Sequence, residues 1–110
     1  MKNEIEINGE IYVKKETPSD YHMVRTDRAG VFYGKIEKKE GLEITLSNAR
    51  RVYYWDGAAT LSQLAMKGTS KPEECKFPMA VSEVTLQWIE IIPVSKEALE
   101  SLSSVDVWEA

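Results

Sequence analysis

Cysteine and histidine are almost absent from this chain of 110 residues, which contains one of each, Cys75 and His22. A single cysteine excludes an internal disulfide, and neither a zinc cluster nor a redox pair can be built from one thiol. The spacing of the chain's polar residues also indicates no Ser–His–Asp triad and no Cys–His pair. We therefore expect no metal site, no catalytic residue and no cofactor, and we expect Cys75 to be an inert thiol.

Long hydrophobic runs are also absent. No segment approaches the roughly 18–20 apolar residues of a membrane span, and the first ten residues, MKNEIEINGE, lack the hydrophobic region of a signal peptide. The formal net charge is −4 and the isoelectric point is about 5.1, a balance that repels polyanions. We expect a soluble, intracellular protein with no membrane partner, and the charge disfavours nucleic acid as a partner.

What the chain does contain is typical of a globular domain. Hydrophobic residues make up 43% and charged residues 29%, and a length of 110 residues fits one domain spanning residues 1–110. Alternating apolar and polar residues around Asn8-Gly9 predict a hairpin at residues 4–7 and 10–14, because both turn residues tolerate a positive φ. Further strands are predicted at residues 21–26, 31–38, 42–46, 49–55, 81–92 and 105–108.

Two short helices complete the predicted fold. The first spans residues 60–67 and ends at Gly68, and the second runs from Ser95, as its N-cap, to Leu102. A glycine inside a strand, Gly34, predicts a bulge or a close backbone approach. Pro93 is expected to end the strand at residues 81–92. The predicted fold class is mainly β, a β-rich α+β domain with a small antiparallel sheet or barrel and two short helices.

The densest functional signal lies in residues 48–78. There an arginine pair is followed closely by three aromatic residues and then by a tight Asp56-Gly57 turn. The first predicted helix and a Gly-Thr-Ser-Lys-Pro loop come next. Cations bind phosphate or carboxylate groups, and exposed aromatic faces stack on planar ligands. The segment therefore favours a binding surface for a planar or anionic ligand.

The arginine pair allows two hypotheses. Neighbouring residues of a strand point to opposite faces, so either Arg50 or Arg51 lies near the core or an interface, where it needs an anionic partner. That partner is either one of the protein's 18 acidic residues or the phosphate or carboxylate of a ligand. Arg25 and Arg28 would join the same pocket if the sheet brings the predicted turn at residues 27–30 beside Arg51.

The aromatic and polar residues also allow alternatives. Tyr53, Tyr54 and Trp55 form a stacking platform, a protein interface or, for at least one of them, part of the core. Thr60 either caps the first helix or helps an anion bind at the helix N-terminus. The loop after Gly68 offers two hydroxyls and an ammonium but lacks the Walker A pattern. The candidate ligand-binding residues are Arg25, Arg28, Arg50, Arg51, Tyr53, Tyr54, Trp55, Thr60, Ser62, Thr69, Ser70 and Lys71.

Four segments of the chain carry a resemblance to a known family. They read VRTDRAGVFYG at residues 24–34, NARRVYYWDGAATLSQLA at residues 48–65, GTSKPEECKF at residues 68–77 and IEIIP at residues 89–93. In this pattern the chain resembles a small uncharacterised family of proteins encoded by tailed bacteriophages and prophages. The match covers roughly residues 23–108, which places a family-like core at about 21–108 and leaves the hairpin at about 4–14 outside it.

The resemblance implies a phage protein that acts in the host cytoplasm, and it carries no assigned activity. Small acidic phage proteins often inhibit host defence, and one class forms homo-oligomers that sequester cyclic nucleotides or ADP-ribose-type immune signals. We therefore expect a non-enzymatic, homo-oligomeric protein that binds a small anionic, nucleotide-like ligand. The alternatives are a protein-binding module that inhibits a host factor and a single-stranded nucleic-acid binder.

Overall fold

The structure is a computed structural model that describes the backbone of residues 4–7 and 10–13, and both backbone and side chains of residues 17–110. Its strands and helices follow one another along the chain as β1 (Glu4–Ile7), β2 (Glu10–Val13), β3 (Pro18–Thr26), β4 (Val31–Glu40), β5 (Glu43–Arg51), α1 (Leu61–Lys67), a short 3-10 helix (Pro72–Glu74), β6 (Val81–Ser95) and α2 (Lys96–Ser103).

Strands β3 to β6 form a closed antiparallel barrel in the order β3-β4-β5-β6, and β6 pairs back onto β3. The predicted β-rich class with two short helices is thus confirmed. β1 and β2 pair with each other, with Ile7 opposite Glu10, which confirms the two strands of the predicted hairpin. Its turn residues, Asn8 and Gly9, and Lys14 lie outside the described residues.

The core consists of two clusters on opposite sides of the barrel wall. Val24 and Phe32, which pair across β3 and β4, belong to a cluster with residues from all four strands of the barrel. The adjacent pair, Met23 and Tyr33, belongs to a second cluster that includes buried residues of both helices. Neighbouring residues of a strand face opposite sides, so these strands are buried on both faces. Helices α1 and α2 therefore cover one side of the barrel.

Several strand boundaries differ from the predicted ones. β3 begins at Pro18 and not at Tyr21, and the Ser19 hydroxyl donates to the Val94 carbonyl at 2.5 Å. The strands predicted at residues 42–46 and 49–55 are one strand, β5, which ends at Arg51. Asn48 adopts a φ of 48° within it, a conformation that asparagine tolerates better than most residues.

The C-terminal half also departs from the prediction. Pro93 does not end β6, which continues to Ser95, because the register between β3 and β6 is irregular next to Pro93 and a missing N–H is tolerated at such a point. The strand predicted at residues 105–108 is wrong, since that segment makes only a single bridge, between Phe77 and Val107, in the described chain.

Other local predictions are confirmed. A Cβ at Gly34 would lie 2.9 Å from the Ser47 carbonyl oxygen, which is the close backbone approach expected there. The Thr60 hydroxyl accepts a hydrogen bond from the Gln63 amide at 3.1 Å, and Ser95 caps α2 in the same way. No helix within the described ranges is long and apolar enough to cross a membrane.

Candidate functional site

Arg50 lies in the core at the end of β5, and the residue is only 8% exposed. A guanidinium group carries five N–H donors, and here each has an acceptor. Nε donates to the Pro78 carbonyl at 3.0 Å, Nη1 to the Leu102 carbonyl at 3.2 Å and the Tyr33 hydroxyl at 3.3 Å, and Nη2 to the carbonyls of Phe77 at 3.2 Å and Val105 at 2.7 Å.

This arrangement corrects both hypotheses for Arg50. The expectation that one arginine of the pair lies in the core is confirmed, but no carboxylate oxygen of the described residues lies within 4.0 Å of its guanidinium. Its donors are also all used by the protein, so it offers no fork to a phosphate. Backbone carbonyls, which are neutral dipoles, take the place of the expected anion.

The other arginines do not converge on one pocket. Arg51 is exposed, donates to the Ala29 carbonyl and lies over the Phe32 ring, with its Cζ 4.3 Å from the ring centroid. It therefore reaches the turn at residues 27–30, which meets the condition under which Arg25 and Arg28 could have joined it. Arg25, however, pairs with Glu90 at 3.0 Å, and Arg28 extends into solvent. With Arg50 in the core, the idea of a four-arginine pocket is wrong.

The three consecutive aromatic residues separate into two groups, because β5 ends before them. Trp55 packs against the core cluster on the helix side of the barrel. Tyr53 and Tyr54 are 62% and 50% exposed. Tyr53 stacks on Trp108, with ring centroids 4.9 Å apart and planes inclined by 11°. Two tyrosines of the predicted platform are therefore on the surface, and a tryptophan from the end of the chain joins them.

Lys76 supplies the cation of this surface. Its Nζ lies 5.6 Å from the centroid of the Trp108 ring and 5.9 Å from that of Tyr54, within the range of a cation–π interaction. Lys76 forms no ion pair with the described carboxylates. We call Tyr53, Tyr54, Lys76 and Trp108 the aromatic–lysine patch.

The backbone holds the aromatic–lysine patch in place. Tyr54 and Lys76 exchange two backbone hydrogen bonds, of 3.2 Å and 2.8 Å, and the Trp108 amide donates to the Phe77 carbonyl at 3.0 Å. That same Phe77 carbonyl accepts from Arg50. Arg50 is thus a positioning residue beneath the patch, because it joins the segment around Phe77 to the C-terminal segment.

Most of the predicted polar contacts bond within the protein instead. The Thr69 hydroxyl donates to the Asp56 carbonyl at 2.5 Å and accepts from the Lys71 amide at 2.9 Å. The Ser70 hydroxyl donates to the Gly57 carbonyl at 3.2 Å. These bonds tie the loop after α1 to the Asp56-Gly57 turn. Thr60 is the N-cap of α1, and the side chains of Ser62 and Lys71 are exposed away from these bonds.

Three titratable groups outside the patch are buried or partly buried. Burial lowers the pKa of His22, whose Nδ1 has no hydrogen-bond partner in the described structure. Burial raises the pKa of the Tyr33 hydroxyl, and the hydrogen bond and positive charge of Arg50 oppose that shift. Cys75 is buried, with its Sγ 3.5 Å from the Asp56 carbonyl oxygen.

Sequence reasoning missed two of the four patch residues. Lys76 lies in the CKF segment of the resemblance, between Cys75 and Phe77, which are both buried. A lysine between two apolar residues was a usable signal for an exposed side chain. Trp108 had no local signal, because its partner Tyr53 is 55 positions away and no strand joins the two.

Comparison with known proteins gives a family and no described activity. The family model described as "Domain of unknown function (DUF6948)" matches residues 19–102. This range includes β3 to β6 and most of α2, and it contains every residue of the patch except Trp108. No curated protein and no solved structure matches the chain.

Proposed function

We propose that this chain, which belongs to the DUF6948 domain family of unknown function, is a non-catalytic protein that binds a planar, anionic, nucleotide-like ligand on its aromatic–lysine patch. One observation supports this proposal most directly. The Lys76 ammonium lies beside two exposed aromatic rings and has no carboxylate partner among the described residues.

Stacking would supply one part of the binding free energy. A base stacked on an exposed aromatic side chain contributes about 1–3 kcal/mol. Tyr53 and Trp108 already stack on each other, so their rings are held nearly parallel before any ligand arrives. A base on the outer face of either ring would extend this stack without the cost of ordering two free side chains.

The unpaired charge of Lys76 would supply the other part. A lysine binds phosphate as a point charge, and no internal ion pair has to be broken before Lys76 does so. The net charge of −4 favours a small anion over a polyanion, because repulsion grows with each added phosphate. This is why a mononucleotide or cyclic nucleotide fits the surface better than a nucleic-acid strand.

The biological setting of the proposal comes from the sequence resemblance to phage proteins. In an infected cell, a protein that binds nucleotides without turning them over would sequester a host signal of the cyclic-nucleotide or ADP-ribose type. The patch is open on one side, so a second copy of the chain would close the site over the ligand, as in many small binding proteins.

Quenching of tryptophan fluorescence by nucleotides tests the proposed function. A base stacked on Trp108 should quench its emission, and Trp108→Phe should remove that change while keeping an aromatic face. Lys76→Gln should weaken binding of nucleotides but not of the corresponding nucleosides. Lys39→Gln is the matched control, because Lys39 lies 4.9 Å from the centroid of the Trp88 ring in a similar pair elsewhere on the surface. Nucleotides that cause no quenching would contradict the proposal.

A second candidate function uses the same patch as a docking surface for a host protein. The exposed apolar side chain of Val107 lies next to Trp108 in the chain, and tyrosine and tryptophan are enriched at protein interfaces. This function would be favoured if Trp108→Ala abolishes retention of one host protein in a pull-down while nucleotides neither bind nor compete.

A further inference from the structure

A cleft of about 400 Å³ opens where the end of α2 approaches β5. Tyr21 and Tyr33 form its aromatic wall, with ring centroids 6.1 Å apart, and Val105 adds an apolar surface. Asn48, Arg50 and Ser103 also line it. The cleft therefore combines an apolar wall with a small number of polar groups, which is the usual make-up of a small-molecule site.

Arg50 places a positive charge behind this cleft. Arg50 is only 8% exposed and its guanidinium has five neutral oxygen acceptors, while no described carboxylate lies within 4.0 Å to cancel its charge. The field of a buried charge is screened less than that of a surface charge. An anion in the cleft would interact favourably with Arg50 without taking any of its hydrogen bonds.

Asn48 and Ser103 offer the donors that Arg50 cannot. In the described part of the chain neither side chain has a hydrogen-bond partner, and both are exposed at the cleft. Asn48 also holds the positive φ of 48° noted above, and residues kept in such sparsely populated conformations cluster at ligand sites. One amide and one hydroxyl can together donate to the two oxygens of a carboxylate.

We infer that this cleft binds a small monocarboxylate with an apolar body. The carboxylate accepts hydrogen bonds from Asn48 and Ser103 within the field of Arg50, and the apolar body lies against Tyr21 and Val105. A phosphate is a poorer fit, because it carries a higher charge and three acceptor oxygens, which is more than one amide and one hydroxyl can satisfy. The inference rests on the cleft and not on the aromatic–lysine patch, so either site can fail without the other.

Benzoate is the probe for this inference, and benzyl alcohol is its uncharged counterpart of similar shape. In two-dimensional amide NMR at constant ionic strength, benzoate should shift the resonances of residues around Asn48 and Ser103, and benzyl alcohol should bind about tenfold more weakly. Equal binding of the two compounds at the cleft, or no benzoate-induced shift around Asn48 and Ser103, would overturn the inference.

Variants separate recognition from folding. Asn48→Gly removes the amide but keeps a residue suited to a positive φ, and Ser103→Ala removes one exposed hydroxyl. Each variant should weaken benzoate binding about fivefold to tenfold. The thermal midpoint of unfolding should be unchanged in Ser103→Ala and slightly altered in Asn48→Gly. Lys76→Gln, in the aromatic–lysine patch, should leave the benzoate-induced shifts around Asn48 and Ser103 unchanged. Unaltered benzoate affinity in both Asn48→Gly and Ser103→Ala would overturn the inference.

Discussion

The Arg50 guanidinium and the Val105 carbonyl, 55 positions apart in the chain, are joined by a hydrogen bond of 2.7 Å. Through its other bonds Arg50 also holds the carbonyls of Phe77, Pro78 and Leu102. These oxygens belong to two segments, residues 77–78 and residues 102–105, that share no regular strand pairing. A single buried cation thus connects the end of the barrel to the C-terminal segment that carries Trp108.

Replacing Arg50 should therefore reduce stability strongly. Arg50→Lys keeps the charge but lacks the planar fork, so several buried carbonyls lose their donor, and we expect a loss of about 3–5 kcal/mol in the free energy of unfolding. Urea denaturation measures this loss. Arg51→Lys is the matched control and should cost less than about 1 kcal/mol, because Arg51 is exposed. Equal costs for the two variants would show that Arg50 does not hold these segments together.

Position 57, in the Asp56-Gly57 turn, should not tolerate any residue with a side chain. At Gly57 φ is 84°, and an added Cβ would lie 2.5 Å from the Lys71 amide nitrogen and 2.8 Å from that of Ser70. Gly57→Ala should lower the free energy of unfolding by about 3 kcal/mol or more, through strain and overpacking.

Gly41→Ala provides the comparison for Gly57→Ala. Gly41 also has a positive φ, 55°, but its added Cβ would meet no atom within 4 Å. Gly41→Ala should therefore lower the free energy of unfolding by only about 1–2 kcal/mol, the cost of placing alanine at a positive φ. Similar thermal midpoints for the two variants would mean that the contact between the turn and the loop after α1 is loose.

His22 should make stability depend on pH. Burial lowers its pKa below the ordinary value of 6.5 in the folded protein, so the unfolded chain binds the proton more tightly. The free energy of unfolding should therefore be highest above about pH 6.5 and fall as pH decreases through the window between the two pKa values. His22→Phe removes this titration, and its stability should change less between pH 7 and about pH 5. Parallel curves for the two proteins would contradict this assignment.

Local signals predicted much of the fold. Gly34 indicated a close approach of two strands, and Thr60, Gly68 and Ser95 marked helix ends, because each of these signals acts within a few residues of its own position: the two hydroxyls accept from amides three residues on, and glycine permits a positive φ. The prediction of separate strands at residues 42–46 and 49–55 was wrong. The chain instead absorbs the irregularity at Asn48, in its left-handed conformation, and the pairing with β4 and β6 resumes at Arg50 and Ala49.

The candidate site was harder to predict, because its decisive contacts are between distant residues. The sequence indicated that one arginine would be buried, but a buried arginine was expected to have an anionic partner, and backbone carbonyls took that position at Arg50. For Tyr53, Tyr54 and Trp55 the sequence left a stacking platform, an interface and the core open, and the structure places Tyr53 and Tyr54 on the surface. Their partners Lys76 and Trp108 come from a loop and from the C-terminal segment, which only the folded barrel brings together.

Isothermal titration of the protein with a mononucleotide, a cyclic nucleotide and the matching nucleoside tests the central claim most directly. If the aromatic–lysine patch is the site, at least one nucleotide binds, Lys76→Gln weakens its affinity about tenfold, and Lys39→Gln leaves it unchanged. The nucleoside should bind wild type and Lys76→Gln alike. No nucleotide binding, or equal affinity in Lys76→Gln and wild type, would contradict the account.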